Sequence, residues 1–516
     1  MKKFIYLTLV VIAGFAVSCK KDVKPDDNNT ITPSKTGSTL DLIRDSIYLY
    51  AQESYLWYDG LPDYATFNPR SITGTNDLSA LAKVVDKISQ YKINPATKKP
   101  YEYYEPSPGE AKFSFIDEGG TSTQLNGVNG DFGFAPLYNT ETDLRVKYVY
   151  AGSPAAAKGI KRGYQIIRIN NRTNLTYDDG GATTQFVVNA IYNNSTVSMT
   201  LKKPDNTTFD VDLVVANYNV NPVITYKVLE PVAGKKVGYI VFNTFVNIDV
   251  AKPELDLAFS SFASNNITDL VVDFRYNGGG YVSTAEYLTN LIVPAGKTGS
   301  MYTTYYNDKL ANYNNAARQK SILANQFFKD PSTNTTYNYA QVDYSPYTVN
   351  FQKQGSLNIT GKVFFIVSGN TASSSELVIN NLRPHMTVQL IGTKTYGKPV
   401  GFFDIKINKY ELYVPQFVTK NSAGQGDYFD GMLPGSINYP GKMDYDDVTK
   451  EFGDPTEGLL AHALSFVTTG NYTSVANQST DVGLRSFSAI QPKVAADLDD
   501  HKFNGMIHDR PLRIKK

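Results

Sequence analysis

Along this chain the rhythm of hydrophobic and polar positions changes several times, and each change predicts a different element. Phe4–Val17 is a nearly unbroken apolar run behind the basic start Met1-Lys-Lys. It is too short for a stable membrane span and has the form of a secretory signal. From Leu40 the apolar residues recur at intervals of three and four, in Leu40-Asp-Leu-Ile-Arg-Asp-Ser-Ile-Tyr-Leu-Tyr-Ala, and a second such stretch covers Asp77 to Tyr91. Both predict amphipathic helices. The aromatic segment between them, Tyr55-Leu-Trp-Tyr-Asp-Gly-Leu-Pro, reads as core. Residues 39–120 are therefore expected to form an N-terminal helical cap.

Over residues 124–222 the pattern shifts to short strands parted by Gly, Asn and Asp turns. Over residues 223–470 strands and helices alternate. Val237-Gly-Tyr-Ile-Val-Phe, Asp269-Leu-Val-Val-Asp-Phe, Val363-Phe-Phe-Ile-Val and Val388-Gln-Leu-Ile-Gly read as buried strands, while Val250 to Ala263, Ser283 to Ile292 and Gly458 to Phe466 read as helices. The tail, residues 471–516, carries no chemistry legible from its sequence.

Two turns in the alternating region carry candidate chemistry. Val363–Val367 runs into Gly369-Asn-Thr-Ala-Ser-Ser-Ser-Glu, so that serines open the following helix. A serine at a strand-to-helix turn has an exposed hydroxyl with free helix N–H groups beside it. Ser373-x-x-Glu376 is equally a capping box, which requires no catalysis. The next strand leads into Thr393-Lys-Thr-Tyr-Gly-Lys398-Pro, where desolvation can bring a lysine toward its neutral, basic form. The glycine run Gly278-Gly-Gly follows a third buried strand and allows close approach of backbone amides to a reacting oxygen. It lacks the lysine-bearing pattern of a phosphate loop.

TASSSEL followed by TYGKP is similar to the signature of the S41, or C-terminal processing, serine peptidases. In that family the nucleophile stands three residues before the motif's glutamate and the dyad lysine 25 positions after the nucleophile. Here those positions are Ser373 and Lys398. The segment Asp273-Phe-Arg-Tyr-Asn-Gly-Gly-Gly resembles the family's D-x-R-x-N-x-G-G, which implies an oxyanion hole from Gly278 or Gly279 together with the Ser374 amide. Val146 to Asn170, with its Gly-Ser-Pro-Ala-Ala core, resembles a bacterial PDZ domain. That likeness implies capture of peptide tails by strand addition at Gly130, Phe132, Gly133 and Phe134. The implied architecture is multidomain α+β and α/β: a helical cap, a PDZ-like β-rich domain, and an S41-type core with ClpP/crotonase-like strand–turn–helix layers. Many family members have Gln or Glu four residues after the lysine. This chain has Phe402, so an orienting group is expected from elsewhere, with Asp404 the candidate.

Composition narrows the alternatives. The 516 residues carry a formal net charge of +1 without a basic stripe, which argues against nucleic acid as a partner. The four histidines, His385, His462, His501 and His508, lack metal-ligand spacing, so neither a metal nor any other cofactor is expected. Only His385 lies near the serine motif, at a helix end where a structural role is the better reading. The single cysteine, Cys19, follows Ala16-Val-Ser and resembles a bacterial lipoprotein processing site. This gives a signal peptide over 1–18, a lipid anchor at Cys19 in a Gram-negative envelope, and a polar tether over 19–38. The expectation is a membrane-anchored Ser–Lys endopeptidase acting on peptides or proteins. The alternatives are a catalytically weak or inactive peptide-binding lipoprotein and, from the abundance of Tyr and Asn, a polysaccharide-binding one.

Overall fold

The computed structural model describes residues 33–330, 333–472, 494, 498, 503–509 and 512–515. Cys19, the signal peptide, His501 and most of the tether and tail lie outside the described residues.

Helix α1 (Thr39–Ser54) starts at a capping box. The Ser38 hydroxyl accepts from Asp41 N–H at 3.1 Å, and the Asp41 carboxylate accepts from Ser38 N–H at 3.2 Å. Helix α2 (Asp77–Ser89) follows, capped by Asn76. Their apolar faces meet around Ile47, Tyr48, Leu81 and Val84, and the same cluster takes in Leu310, Tyr344 and Leu412. The helices thus share a core with two excursions of the later chain. Trp57 is part of it, stacked on Tyr101 with ring centroids 4.7 Å apart.

Five antiparallel strands form the next unit in chain order: β1 (Phe134–Thr140), β2 (Asp143–Val149), β3 (Gln165–Ile169), β4 (Thr196–Lys202) and β5 (Thr208–Val214). Alternate burial, as in β4, leaves one face for a core of Val146, Ile166, Ile169 and Leu201. Phe132 and Phe134 belong to that core, at 1% and 6% exposure. Any peptide contact at these two positions therefore falls to their backbone and not to their rings.

The largest sheet is made from β6 (Val223–Val232), β7 (Lys235–Phe242), β8 (Asp269–Asp273), β10 (Val363–Val367), β11 (Val388–Gly392) and β12 (Gly441–Met443); β9 is the short strand Gly279–Tyr281. Its order is β12-β11-β10-β8-β7-β6, parallel except for the β6–β7 hairpin. Every residue of β8, β10 and β11 is buried, as expected of parallel strands covered on both faces. The covering helices are α3 (Ile248–Ser264), α4 (Val282–Ile292), α5 (Ser374–Leu382) and α6 (Gly458–Thr469). Because β8, β10 and β11 are parallel neighbours, the loops after them emerge together at their carboxyl ends, where open α/β sheets place their ligand crevices.

Candidate active site

The turns after β8, β10 and β11 are bonded to one another. Ala372 N–H donates to Asn277 O at 3.1 Å, and the Ser375 hydroxyl reaches the same oxygen at 3.1 Å. The Ser374 hydroxyl donates to Gly280 O at 2.8 Å, and Tyr396 N–H donates to Thr371 O at 3.0 Å. Ser373, fully buried, has φ +56° and ψ −104° just before the first residue of α5. A non-glycine residue held there costs of order 1–3 kcal/mol and persists only when its surroundings fix it.

Glu376 supplies much of that constraint. One of its oxygens, Oε2, accepts from both Ser373 N–H and Lys398 N–H, each at 2.8 Å. The other accepts from Gly397 N–H at 2.7 Å and from the Thr395 hydroxyl at 2.5 Å. The serine and lysine backbones therefore meet at a single carboxylate oxygen. The Glu376 half of the capping box is present, while the Ser373 hydroxyl donates a long 3.5 Å bond to Val400 O, two residues beyond Lys398.

Lys398 is 1% exposed. Its ammonium lies 4.1 Å from the Phe402 ring centroid and donates to Phe113 O at 3.2 Å and to Asn504 O. Burial pushes its pKa well below the usual lysine range. Glu102 and Glu376 oppose that shift, and the neighbouring Lys112 adds to it. Asp404, the expected orienting group, accepts from the Tyr339 hydroxyl at 3.2 Å, whereas the Lys398 amine donates to Phe113 O and Asn504 O. The aromatic face of Phe402 and two backbone carbonyls orient the amine.

Sequence gave no signal for Glu102 or Lys112. Buried Glu102 accepts from the Tyr55 hydroxyl at 2.6 Å and from Phe113 and Ser114 N–H at 3.0 and 2.7 Å. It thereby fixes the Phe113 carbonyl that faces Lys398. Lys112 donates to Phe429 O at 2.8 Å, and burial lowers its pKa to about 8. Among the expected oxyanion donors, Gly279 N–H already donates to Asn277 Oδ1 at 2.9 Å, which leaves Gly278 as the glycine to consider with Ser374. In the expected carboxylate loop, Gly133 N–H donates at 2.6 Å to Asp131 Oδ1, so the loop's own carboxylate fills that role. His385 bonds the Ser422 hydroxyl at 2.8 Å and packs edge-on to Phe351, in keeping with its structural reading. A cavity of about 940 Å³ opens beside these groups, lined by Lys112, Phe113, Tyr396, Asn370, Asn129 and Asn504.

Known proteins resemble this chain over part of its length. A family model described as peptidase family S41 matches residues 236–425. The chain is 27% identical over 291 residues to a carboxyl-terminal-processing protease of Picosynechococcus sp., a match covering 54% of this chain and 55% of that protein. It thus spans about half the length of that curated relative. A solved structure from Bacteroides fragilis NCTC 9343, of a protein assigned to the S41 proteases, shares the fold with a TM-score of 0.53 and 22% identity, covering 84% of this chain and 98% of that one.

Proposed function

We propose that the chain is a serine endopeptidase in which Ser373 attacks a peptide carbonyl and Lys398 is the general base. The observation that carries this reading is the shared Glu376 oxygen, which ties the backbone of a buried, easily neutralised lysine to that of a strained serine at a helix N-terminus. A neutral amine has two N–H bonds and one lone pair. Phe113 O and Asn504 O accept two hydrogen bonds, so the lone pair remains for the serine proton. As the serine oxygen bonds to the carbonyl carbon, that proton passes to Lys398, and the oxyanion develops beside the amides of Gly278 and Ser374. The lysine ammonium then protonates the departing amine, and a water molecule releases the acyl group by the reverse proton path.

Substrate enters through the cavity between Lys112–Phe113 and Val128–Asp131, the latter just before the five-stranded unit whose sequence resembles a PDZ domain. A peptide carboxylate docking there must displace Asp131 from Gly133 N–H.

The test is labelling with a serine-directed fluorophosphonate and turnover of unstructured peptides. Ser373→Ala and Lys398→Ala should each lower kcat at least about a thousandfold, and the double variant should be no worse than either, since the pair acts as a unit. Lys398→Arg should fail as well, because guanidinium stays charged. Turnover near wild type in Ser373→Ala would reduce Ser373 to a helix cap, whose loss costs about 1 kcal/mol of stability. A folded wild-type chain that neither labels nor cleaves would favour the peptide-binding alternative.

A further inference from the structure

Gly505–Ile507, here β13, is an extended segment near the C-terminus that pairs in parallel with β9, aligning Gly505 with Gly279, Met506 with Gly280 and Ile507 with Tyr281. Its Gly505 N–H donates to Gly278 O at 2.9 Å. On its other side Phe402 N–H donates to Met506 O at 2.8 Å, and His508 N–H returns to Phe402 O at 2.8 Å. The segment therefore lies as a strand between the glycine run and the chain just beyond Lys398. Asn504 O accepts from Lys398 Nζ. A Cβ on Gly278 would stand 2.2 Å from Phe503 O, and one on Gly279 would stand 2.1 Å from Gly505 O. Met506 and Ile507 are buried, and Asp509 accepts from Ser283 N–H at 3.0 Å near the start of α4. Phe503 and Asn504 also form one wall of the 940 Å³ cavity, so cavity and segment are continuous.

We infer that the groove between Gly278–Tyr281 and Val400–Phe402 is the binding site for an extended peptide strand, and that Phe503–Asp509 occupies it as a tethered competitor. This rests on the peptidase reading for its consequence but not for its geometry. Backbone hydrogen bonds on both flanks are the means by which strand addition holds a peptide independently of most side chains. The oxyanion candidate Gly278 and the base candidate Lys398 both face this segment's backbone, so a substrate needs the positions that it fills. The segment must withdraw before cleavage, a carbonyl of the entering strand then taking the place of Asn504 O on Lys398 Nζ, and the apparent affinity for substrate is the intrinsic affinity multiplied by the fraction of chains in which it has withdrawn.

The full chain carries the test, with two variants that leave the catalytic groups intact. Gly505→Pro removes the N–H that bonds Gly278 O, and Asp509→Ala removes the anchor on α4. Both should speed fluorophosphonate labelling of Ser373 and raise kcat/KM for added peptides, by about tenfold if the groove is open in one wild-type chain in ten. The synthetic peptide Phe-Asn-Gly-Met-Ile-His-Asp should compete with substrate in the variants and only weakly in wild type. Binding of that peptide with a fluorescent label, read by anisotropy, is independent of turnover. Binding to the variants but not to wild type, with no chain cleaving anything, would uphold the groove and refute the peptidase reading. Reduced labelling in both variants with an unchanged melting temperature would overturn the inference, because the segment would then be a fixed wall of the site. Failure of the labelled peptide to bind either folded variant would overturn it too.

Discussion

A buried amine serves as a base only if its surroundings make the ammonium costly, and at Lys398 neighbouring charges pull in both directions. Glu102 and Glu376 favour the charged form, whereas burial and Lys112 disfavour it. Lys112 itself loses its proton at about pH 8. Below about pH 8 it is a cation that holds the Lys398 pKa down, and above that it has no charge to exert. The proposed mechanism requires neutral Lys398, so on that reading kcat/KM falls as pH drops through the lysine's folded pKa. Lys112→Met removes the neighbouring cation and raises that pKa. The ascending limb of the kcat/KM profile should therefore move to higher pH, with the two profiles converging above about pH 8. Superimposable limbs would remove Lys112 from the electrostatics of the base. None of this was legible from sequence, since Lys112 lies 286 positions from Lys398 and only the tertiary fold brings them together. The sequence did expose the missing polar group at Phe402. Its substitute could not be read, because two of the orienting atoms are backbone carbonyls, which every residue possesses.

Helix α5 joins strand chemistry to site chemistry through the single carboxylate of Glu376, which accepts from three backbone N–H groups and one hydroxyl. Glu376→Gln keeps one acceptor oxygen but turns an NH2 toward donors that need an acceptor. Leaving such donors unpaired in a dry interior costs about 1–3 kcal/mol. The urea midpoint should fall accordingly, and kcat should fall further than stability explains, because the Ser373 and Lys398 backbones lose their common tie. An unchanged kcat in a destabilised variant would confine Glu376 to stability. The strands on either side of this helix in the chain were readable almost to the residue: Val363–Val367 and Val388–Gly392 are largely apolar runs of the kind that a doubly covered sheet requires. The capping box in Ser373-x-x-Glu376 was also readable, but its sequence cannot show that Gly397 and Lys398 return to the same carboxylate. The short strand at Gly505–Ile507 had no periodic signal, since three residues flanked by Asn504 and His508 set no alternation. Tertiary pairing with β9 creates it. In the five-stranded unit the same limit applies to Phe132 and Phe134, whose resemblance to a binding loop is silent on which way the rings point.

At the scale of the molecule, a buried ionic cluster joins the five-stranded unit to the turns around the six-stranded sheet. Arg162, just before β3, donates to Lys147 O at 2.8 Å within its own unit. Across the boundary it donates to Asp446 Oδ1 at 2.7 Å, to Tyr276 OH at 2.7 Å and to Lys450 O at 2.9 Å. Asp446 is shared with Arg275, which also bonds Asp273 and Glu457. Tyr276 and Arg275 lie in the turn that ends in the glycine run, so the joint abuts the candidate site. Burial works to raise the Asp446 pKa, but Arg162 and Arg275 together bring it down to about 2. A depressed carboxylate contributes stability that is complete above the ordinary aspartate range near 3.8 and is lost as pH falls toward about 2. Arg162→Met leaves the apolar stem but removes one of the two cations, so the Asp446 pKa rises and acid unfolding should begin at higher pH. Removing one partner of a buried pair typically costs about 3–5 kcal/mol. The loss should fall on the joint between the units, so they should cease to unfold together. Trp57, the single tryptophan, sits in the core shared by the N-terminal helices and the later chain, whereas far-ultraviolet circular dichroism reports on both units. In wild type the urea transitions seen by fluorescence and by circular dichroism should coincide. In Arg162→Met the circular dichroism transition should acquire an earlier phase that fluorescence does not see. Coincident transitions in the variant, with an unshifted acid midpoint, would mean that the cluster does not couple the two units.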